Sequence, residues 1–146
     1  MPVDDVDCSL CRLLSRMLPE VVGIVLVSHS AELARGLADL AGQVAGGEAR
    51  IVPAGGIEGT LGTSGEVVEN AIAEADQGDG VLLLADLGSS ILTIRGILDH
   101  QPNGHVRLAD APLVEGAVAA AVSAAAGQTL EEVVSAAEAA RNVNKF

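Results

Sequence analysis

Two short stretches carry side chains that could do covalent chemistry together, Ser28-His29-Ser30 and Asp86-Leu87-Gly88-Ser89. A carboxylate that accepts a hydrogen bond from one imidazole nitrogen fixes the tautomer and leaves the other nitrogen's lone pair free. The same carboxylate stabilises the positive charge that develops on the ring during attack. His29 is therefore the candidate nucleophile, and Asp86 the group that orients it. Ser30, Gly88 and Ser89 stand where helices should begin, so their backbone N–H groups suit an incoming phosphoryl group. Gly88 also lacks a side chain that would block close approach. Plainer readings compete: a loop histidine is commonly a hydrogen-bonded surface residue, and Asp86 could serve only as a helix cap.

The other reactive residue types point nowhere in particular. His100 closes a helix-like stretch and His105 starts a strand-like one, and nothing makes the two converge on a metal. Cys8-Ser-Leu-Cys11 is a single C-x-x-C without the second pair a zinc site needs. No strand precedes it, which weakens a redox role, and two cysteines do not make a disulfide framework. The glycine-rich run Ala54–Gly62 lacks the Lys-Ser/Thr ending of a phosphate-binding loop, so nucleotide binding there is not supported. No metal and no cofactor are expected.

Composition narrows the partners. The chain has 146 residues, 49% of them apolar and 19% charged, enough for one globular domain with a substantial core. The net charge of −12 and only eight Lys and Arg, widely scattered, exclude a nucleic-acid binder. Phe146 is the single aromatic, so no platform for stacking bases or sugars exists. Apolar runs fall far short of the roughly 18 residues a membrane helix requires. Asp4, Asp5 and Asp7 stand where a signal peptide would carry positive charge. The expectation is a cytoplasmic protein.

The elements that must position His29 and Asp86 follow from periodicity. Val22–Val27 and Gly80–Ala85 read as strands buried on both faces, with a shorter one over Ala49–Pro53 and another within His105–Ala109. Ser30 is placed to cap a helix whose apolar face is Leu33, Leu37, Leu40 and Val44. Thr63 or Ser64 caps a second helix with Val67, Val68, Ala71, Ile72 and Ala75 inward, and Ile91, Ile94, Ile97 and Leu98 mark a third. Two alanine-rich helices, Val114–Ala126 and Thr129–Asn142, meet at Gly127. The first 21 residues differ in texture and form an extension of unassigned role ahead of a domain over 22–146.

Alternating strands and helices give a single α/β domain with a mostly parallel sheet and helices on both faces. With strand order 2-1-3-4 the order reverses between the first and third strands, where open parallel sheets bind ligands. His29 and Asp86 leave those two strands side by side.

At these residues the sequence resembles a known family. The matching stretches are Gly23-Ile-Val-Leu-Val-Ser-His-Ser30, Gly62-Thr-Ser64, Leu84-Ala-Asp-Leu-Gly-Ser-Ser90 and Ala111-Pro-Leu-Val-Glu-Gly116, with the tail Ala126–Val134. They are similar to the phosphoryl-carrier subunits of phosphoenolpyruvate-dependent dihydroxyacetone kinases, a branch of the mannose-type enzyme IIA family of the bacterial phosphotransferase system. The resemblance implies the mannose-type enzyme IIA fold, a phosphoryl group carried on His29, and Asp86 as its orienting partner. It implies a phosphotransferase-system component that takes phosphate from phospho-HPr and passes it to the ADP-bound subunit of the kinase. The bound ADP would thereby become ATP and phosphorylate dihydroxyacetone, held by the dihydroxyacetone-binding subunit, leading to dihydroxyacetone phosphate. It also implies a homodimer. With one carrier domain, the chain is expected to depend on a separate HPr. Two alternatives remain open: an enzyme IIA component of a mannose-family sugar transporter, and a phosphohistidine signalling module.

Overall fold

Strand β1 (Gly23–Ser28) is buried along its whole length, because its alternate side chains enter two different cores. Ile24 and Leu26 join Leu82 and Leu84 on one face of the sheet, while Val25 and Val27 join Val81 and Leu83 on the other. The chain is represented by a computed structural model that describes residues 13–14, 18–101 and 104–146. The Cys8–Cys11 pair and most of the 1–21 segment lie outside the described residues.

β1 is flanked by β2 (Arg50–Gly55) and β3 (Val81–Ala85), and β4 (Val106–Leu108) completes the sheet. All pairings are parallel and the order is β2-β1-β3-β4, as the sequence predicts. Helices α1 (Ala31–Val44), α4 (Leu113–Ala125) and α5 (Leu130–Ala139) cover the first face, with a 3-10 turn over Ala140–Asn142. Helices α2 (Gly65–Ala75) and α3 (Gly88–Leu98) cover the second. The chain thus leaves β1 through α1 on one face and enters β3 through α2 on the other. That reversal leaves the carboxyl ends of β1 and β3 facing open space.

Local chemistry sets the boundaries. Ser30 is the N-cap of α1, its hydroxyl accepting from the Leu33 N–H at 3.2 Å. Thr129 and Glu132 form a reciprocal capping box at the start of α5. Ser64 occupies the N-cap position of α2 but makes no side-chain bond there.

Two details differ from the periodicity. Helix α1 packs through Ala34, Leu37 and Ala41, whereas Leu33, Leu40 and Val44 are about half exposed. The small alanines let the helix approach the sheet closely, with Leu37 between them and with Leu33 and Leu40 on its flanks. Val67 is likewise exposed, with Val68 taking the inward position on α2. Ahead of β1, the Glu20 N–H donates to the Gly127 carbonyl at 3.1 Å and the Val21 N–H to the Asp79 carboxylate at 2.8 Å. Residues just before β1 are therefore fastened to the domain.

Beside the end of β1, Gly55 allows the closest backbone approach in the site region. A Cβ there would lie 2.5 Å from the Ser28 carbonyl oxygen and 3.0 Å from that of Ser30. Both obstacles are backbone, so Gly55→Ala should destabilise by about 1–3 kcal/mol. Gly36 sits mid-way along α1, exposed, and a Cβ there meets nothing within 4 Å. Gly36→Ala should stabilise by about 0.5–1 kcal/mol. Urea denaturation of the two variants should therefore give midpoints on opposite sides of the unsubstituted protein's.

Candidate active site

The parallel ladder carries two residues past its end. The Asp86 N–H still bonds the Val27 carbonyl at 3.2 Å, which holds the loop after β3 against the loop after β1. His29 and Asp86 meet there: His29 Nδ1 lies 3.0 Å from Asp86 Oδ1. The His29 side chain is 23% exposed and that of Asp86 14%, so the ring is reached from solvent while its partner sits behind it.

Asp86 is a junction of donors. Its Oδ2 accepts from the Ser28 hydroxyl at 2.9 Å and from the His29 backbone N–H at 2.9 Å. Its Oδ1 accepts from the Leu87 N–H at 2.7 Å and the Ser90 hydroxyl at 3.0 Å, besides the ring. Burial pushes this carboxyl up, but the bonds from His29, Ser28 and Ser90 outweigh it and hold the group down at about 2, below the usual 3.8. Asp86 is ionised at neutral pH and can only accept, so Nδ1 of the neutral His29 ring carries the proton. The Nε2 lone pair is then the reactive one. The Ser89 hydroxyl is hydrogen-bonded to Nε2 and, facing a lone pair, is the donor.

The N-terminus of α3 opens next to Nε2. Leu87 is its N-cap and makes no side-chain cap bond. The N–H groups of Gly88, Ser89 and Ser90, in the first turn, have no acceptor within the helix. Gly88 and Ser89 are exposed, and a Cβ on Gly88 would meet nothing within 4 Å. Ser30 is more occupied, since its hydroxyl caps α1 and its N–H donates to the Ser28 hydroxyl at 3.1 Å. Asp86 itself is not the cap of α3.

Sequence reasoning named His29, Asp86, Ser30, Gly88 and Ser89, and the fold brings all five to one end of the sheet. It missed the side chains of Ser28, Ser90 and Thr63. Ser28 is the last residue of β1, buried, and bridges Asp86 to the Ser30 N–H. Ser90 is buried on the inward face of α3 with Ile94 and Ile97, and a polar residue at that spacing was the available signal. Thr63 Oγ1 lies 2.9 Å from Ser90 Oγ. His105 instead pairs with Asp76 at 3.0 Å, at the amino end of the strands and away from this site. Among the described residues no group of three or more His, Cys, Asp and Glu side chains is arranged to hold a metal ion.

The chain is similar to several known proteins. The model of a family described as PTS system fructose IIA component matches residues 23–134. The phosphoryl donor subunit DhaM of the PEP-dependent dihydroxyacetone kinase of Klebsiella michiganensis is 39% identical over 121 residues, which cover 78% of this chain and 26% of that protein. This chain thus spans about a quarter of the length of that relative. The corresponding subunit of kinase 2 of Listeria innocua is 33% identical, with 78% of this chain and 94% of that protein covered. The phosphotransferase subunit DhaM of the PTS-dependent kinase of Lactococcus lactis is 38% identical, at 76% and 89%. A crystal structure titled only as a protein of unknown function superposes with a TM-score of 0.72 at 35% identity, covering 86% of this chain and 96% of that one.

The depressed Asp86 carboxyl links the site to stability. A group lowered in the folded state contributes fully above its unfolded value near 4 and loses that contribution as pH falls through about 2. The contribution is on the order of 2 kcal/mol. Asp86→Asn should therefore lose less stability than the unsubstituted protein between pH 5 and pH 2, a difference that urea unfolding at each pH measures.

Proposed function

The chain belongs to the PTS system fructose IIA component family, and on that premise we propose that it is a phosphohistidine carrier of a dihydroxyacetone kinase system. The observation that carries the proposal is the His29 ring, locked at Nδ1 on Asp86 with Nε2 turned toward the open start of α3. The names of the curated relatives supply the kinase.

In this reading the Nε2 lone pair of His29 attacks the phosphorus of phospho-HPr. An N–P bond forms on His29 as the donor's N–P bond breaks and the donor ring keeps the electron pair. Asp86 retains the proton on Nδ1 and stabilises the charge on the ring. The Ser89 hydroxyl swings off Nε2, and it and the N–H groups of Gly88 and Ser89 bond the phosphoryl oxygens, favoured by the helix dipole. Ser30 contributes by holding the first turn of α1. In the second half-reaction an oxygen of the β-phosphate of ADP, bound in the kinase subunit, attacks the same phosphorus. ATP forms, His29 regains its lone pair, and a dihydroxyacetone-binding subunit uses the ATP. The proposal includes a homodimeric carrier working in the cytoplasm. No helix among the described residues is long and apolar enough to cross a membrane.

Labelled phosphoenolpyruvate with enzyme I and HPr tests the reading. The protein should acquire label that is acid-labile and alkali-stable, and His29→Ala should abolish it. Asp86→Asn should remain folded and be phosphorylated ~10²–10⁴-fold more slowly, the usual weight of such groups. ADP-loaded kinase subunit should discharge the label, and ADP alone should not. Discharge only to a sugar permease would instead identify a transporter component, and a stable label accepted by neither would point to signalling.

A further inference from the structure

Ser90 has no part in the steps above, yet it is the polar side chain most deeply enclosed at the site, with 0% exposure. A buried hydroxyl costs free energy unless it is hydrogen-bonded, a cost that alanine, smaller by one oxygen, would not carry. What serine adds is three contacts: Asp86 Oδ1 at 3.0 Å, His29 Nδ1 at 3.2 Å and Thr63 Oγ1 at 2.9 Å. A hydroxyl has one proton and two lone pairs. The Asp86 carboxylate can only accept, so the Ser90 proton goes to it. The Ser90 oxygen then accepts from Thr63 and shares the Nδ1 proton of His29.

Thr63 is free for this because it does not cap α2. The N-cap is Ser64, and its side chain makes no cap bond. Immediately before it, the Gly62 N–H donates to the His29 carbonyl at 2.8 Å. The turn carrying Thr63 is thus fastened to the His29 backbone, which sets its hydroxyl against Ser90. Every proton in the chain Thr63–Ser90–Asp86 points toward the carboxylate, and neighbouring bonds of one sense reinforce one another.

We propose that Ser90, held by Thr63, is a positioning residue: its hydroxyl fixes Asp86 Oδ1 opposite His29 Nδ1, so that the ring keeps the tautomer with Nε2 unprotonated. The consequence for transfer rests on the reading of His29 as the phosphoryl acceptor.

Nuclear magnetic resonance separates this from a packing role. Ring ¹⁵N shifts report the His29 tautomer, and the ¹³C carboxyl shift reports the Asp86 titration. In Ser90→Ala the Asp86 midpoint should move upward, because a bond to the charged form is lost, and the Nε2–H tautomer should become populated. Phosphorylation should slow roughly 10–100-fold, the usual effect of removing an outer partner. Thr63→Val should shift both signals in the same direction by less, and Thr63→Ser should restore them. A folded Ser90→Ala protein with both signals unmoved overturns the proposal. If Ser90→Ala does not fold, the Thr63 pair decides: equal signals in Thr63→Val and Thr63→Ser overturn it. Failure of the unsubstituted protein to take label would refute the carrier reading alone, because the resonance signals are read without phosphorylation.

Discussion

The Asp86 carboxylate is the point on which the site depends. It is the shared acceptor for groups from the end of β1 (Ser28 and the His29 N–H), from the ring of His29, and from the start of α3 (Leu87 N–H and Ser90). Two segments nearly 60 positions apart in sequence are joined by it. A neutral side chain of the same shape could not serve all these donors, since an amide offers one acceptor oxygen and two N–H groups. The negative charge is stabilised by the same bonds that it organises, which is why the group stays ionised although burial opposes it. Tautomer, ring orientation and loop conformation are thus set by one charge.

That junction exists because of the sheet topology. Parallel strands at the centre of the order, β1 and β3, end at the same edge, and their connections leave on opposite faces. The two apolar cores are built almost wholly from aliphatic side chains, many of them alanine, so helices lie close and the strand ends are held rigidly. Among the described residues three polar side chains are buried: Ser123 near the end of α4, hydrogen-bonded to Gln128, and Ser28 and Ser90 at the carboxyl edge, each with its hydrogen bonds satisfied. The cost of burying Ser28 and Ser90 is met by Asp86, and Asp86 is kept in place by them.

Much of this could be read from the sequence because it depends on period and position. Continuous β-branched runs marked β1 and β3, the alternation with helices implied a mostly parallel sheet, and with the order 2-1-3-4 His29 and Asp86 meet. What the periodicity could not give was the rotation of α1. A stripe of Leu33, Leu37, Leu40 and Val44 looks like one buried face, but packing density against the sheet favours Ala34 and Ala41. Hydroxyl networks were equally hidden. Thr63 and Ser64 are both acceptable caps by composition, and only the tertiary position of Ser90 decides that Thr63 bonds across to α3. The ties of Glu20 and Val21 to Gly127 and Asp79 are made by backbone N–H groups, which periodicity does not announce.

The carrier role proposed for His29 requires a phosphoryl group held firmly enough to survive between partners and loosely enough to be given up, and the layering of this site fits both demands. Exposure falls stepwise from Ser89 at the surface, through His29 and Asp86, to Ser90 in the interior. The ring is therefore restrained entirely from behind, while its Nε2 side offers only a hydroxyl and helix N–H groups. Among the described residues none of these is a fixed cation, so a phosphoryl group there would gain hydrogen bonds and a favourable dipole but no ion pair to trap it. Two exposed apolar side chains lie on the segments that meet at the site: Leu87, next in sequence to Asp86, and Leu61, next to the Gly62 whose N–H bonds the His29 carbonyl. In the proposed carrier role, a docking protein that covered them would exclude water from the N–P bond during transfer, and excluding water would strengthen each remaining hydrogen bond at that moment. Restraint from behind is what the proposed role asks of one histidine that faces donor and acceptor in turn: the residues that hold the ring need not rearrange between the two.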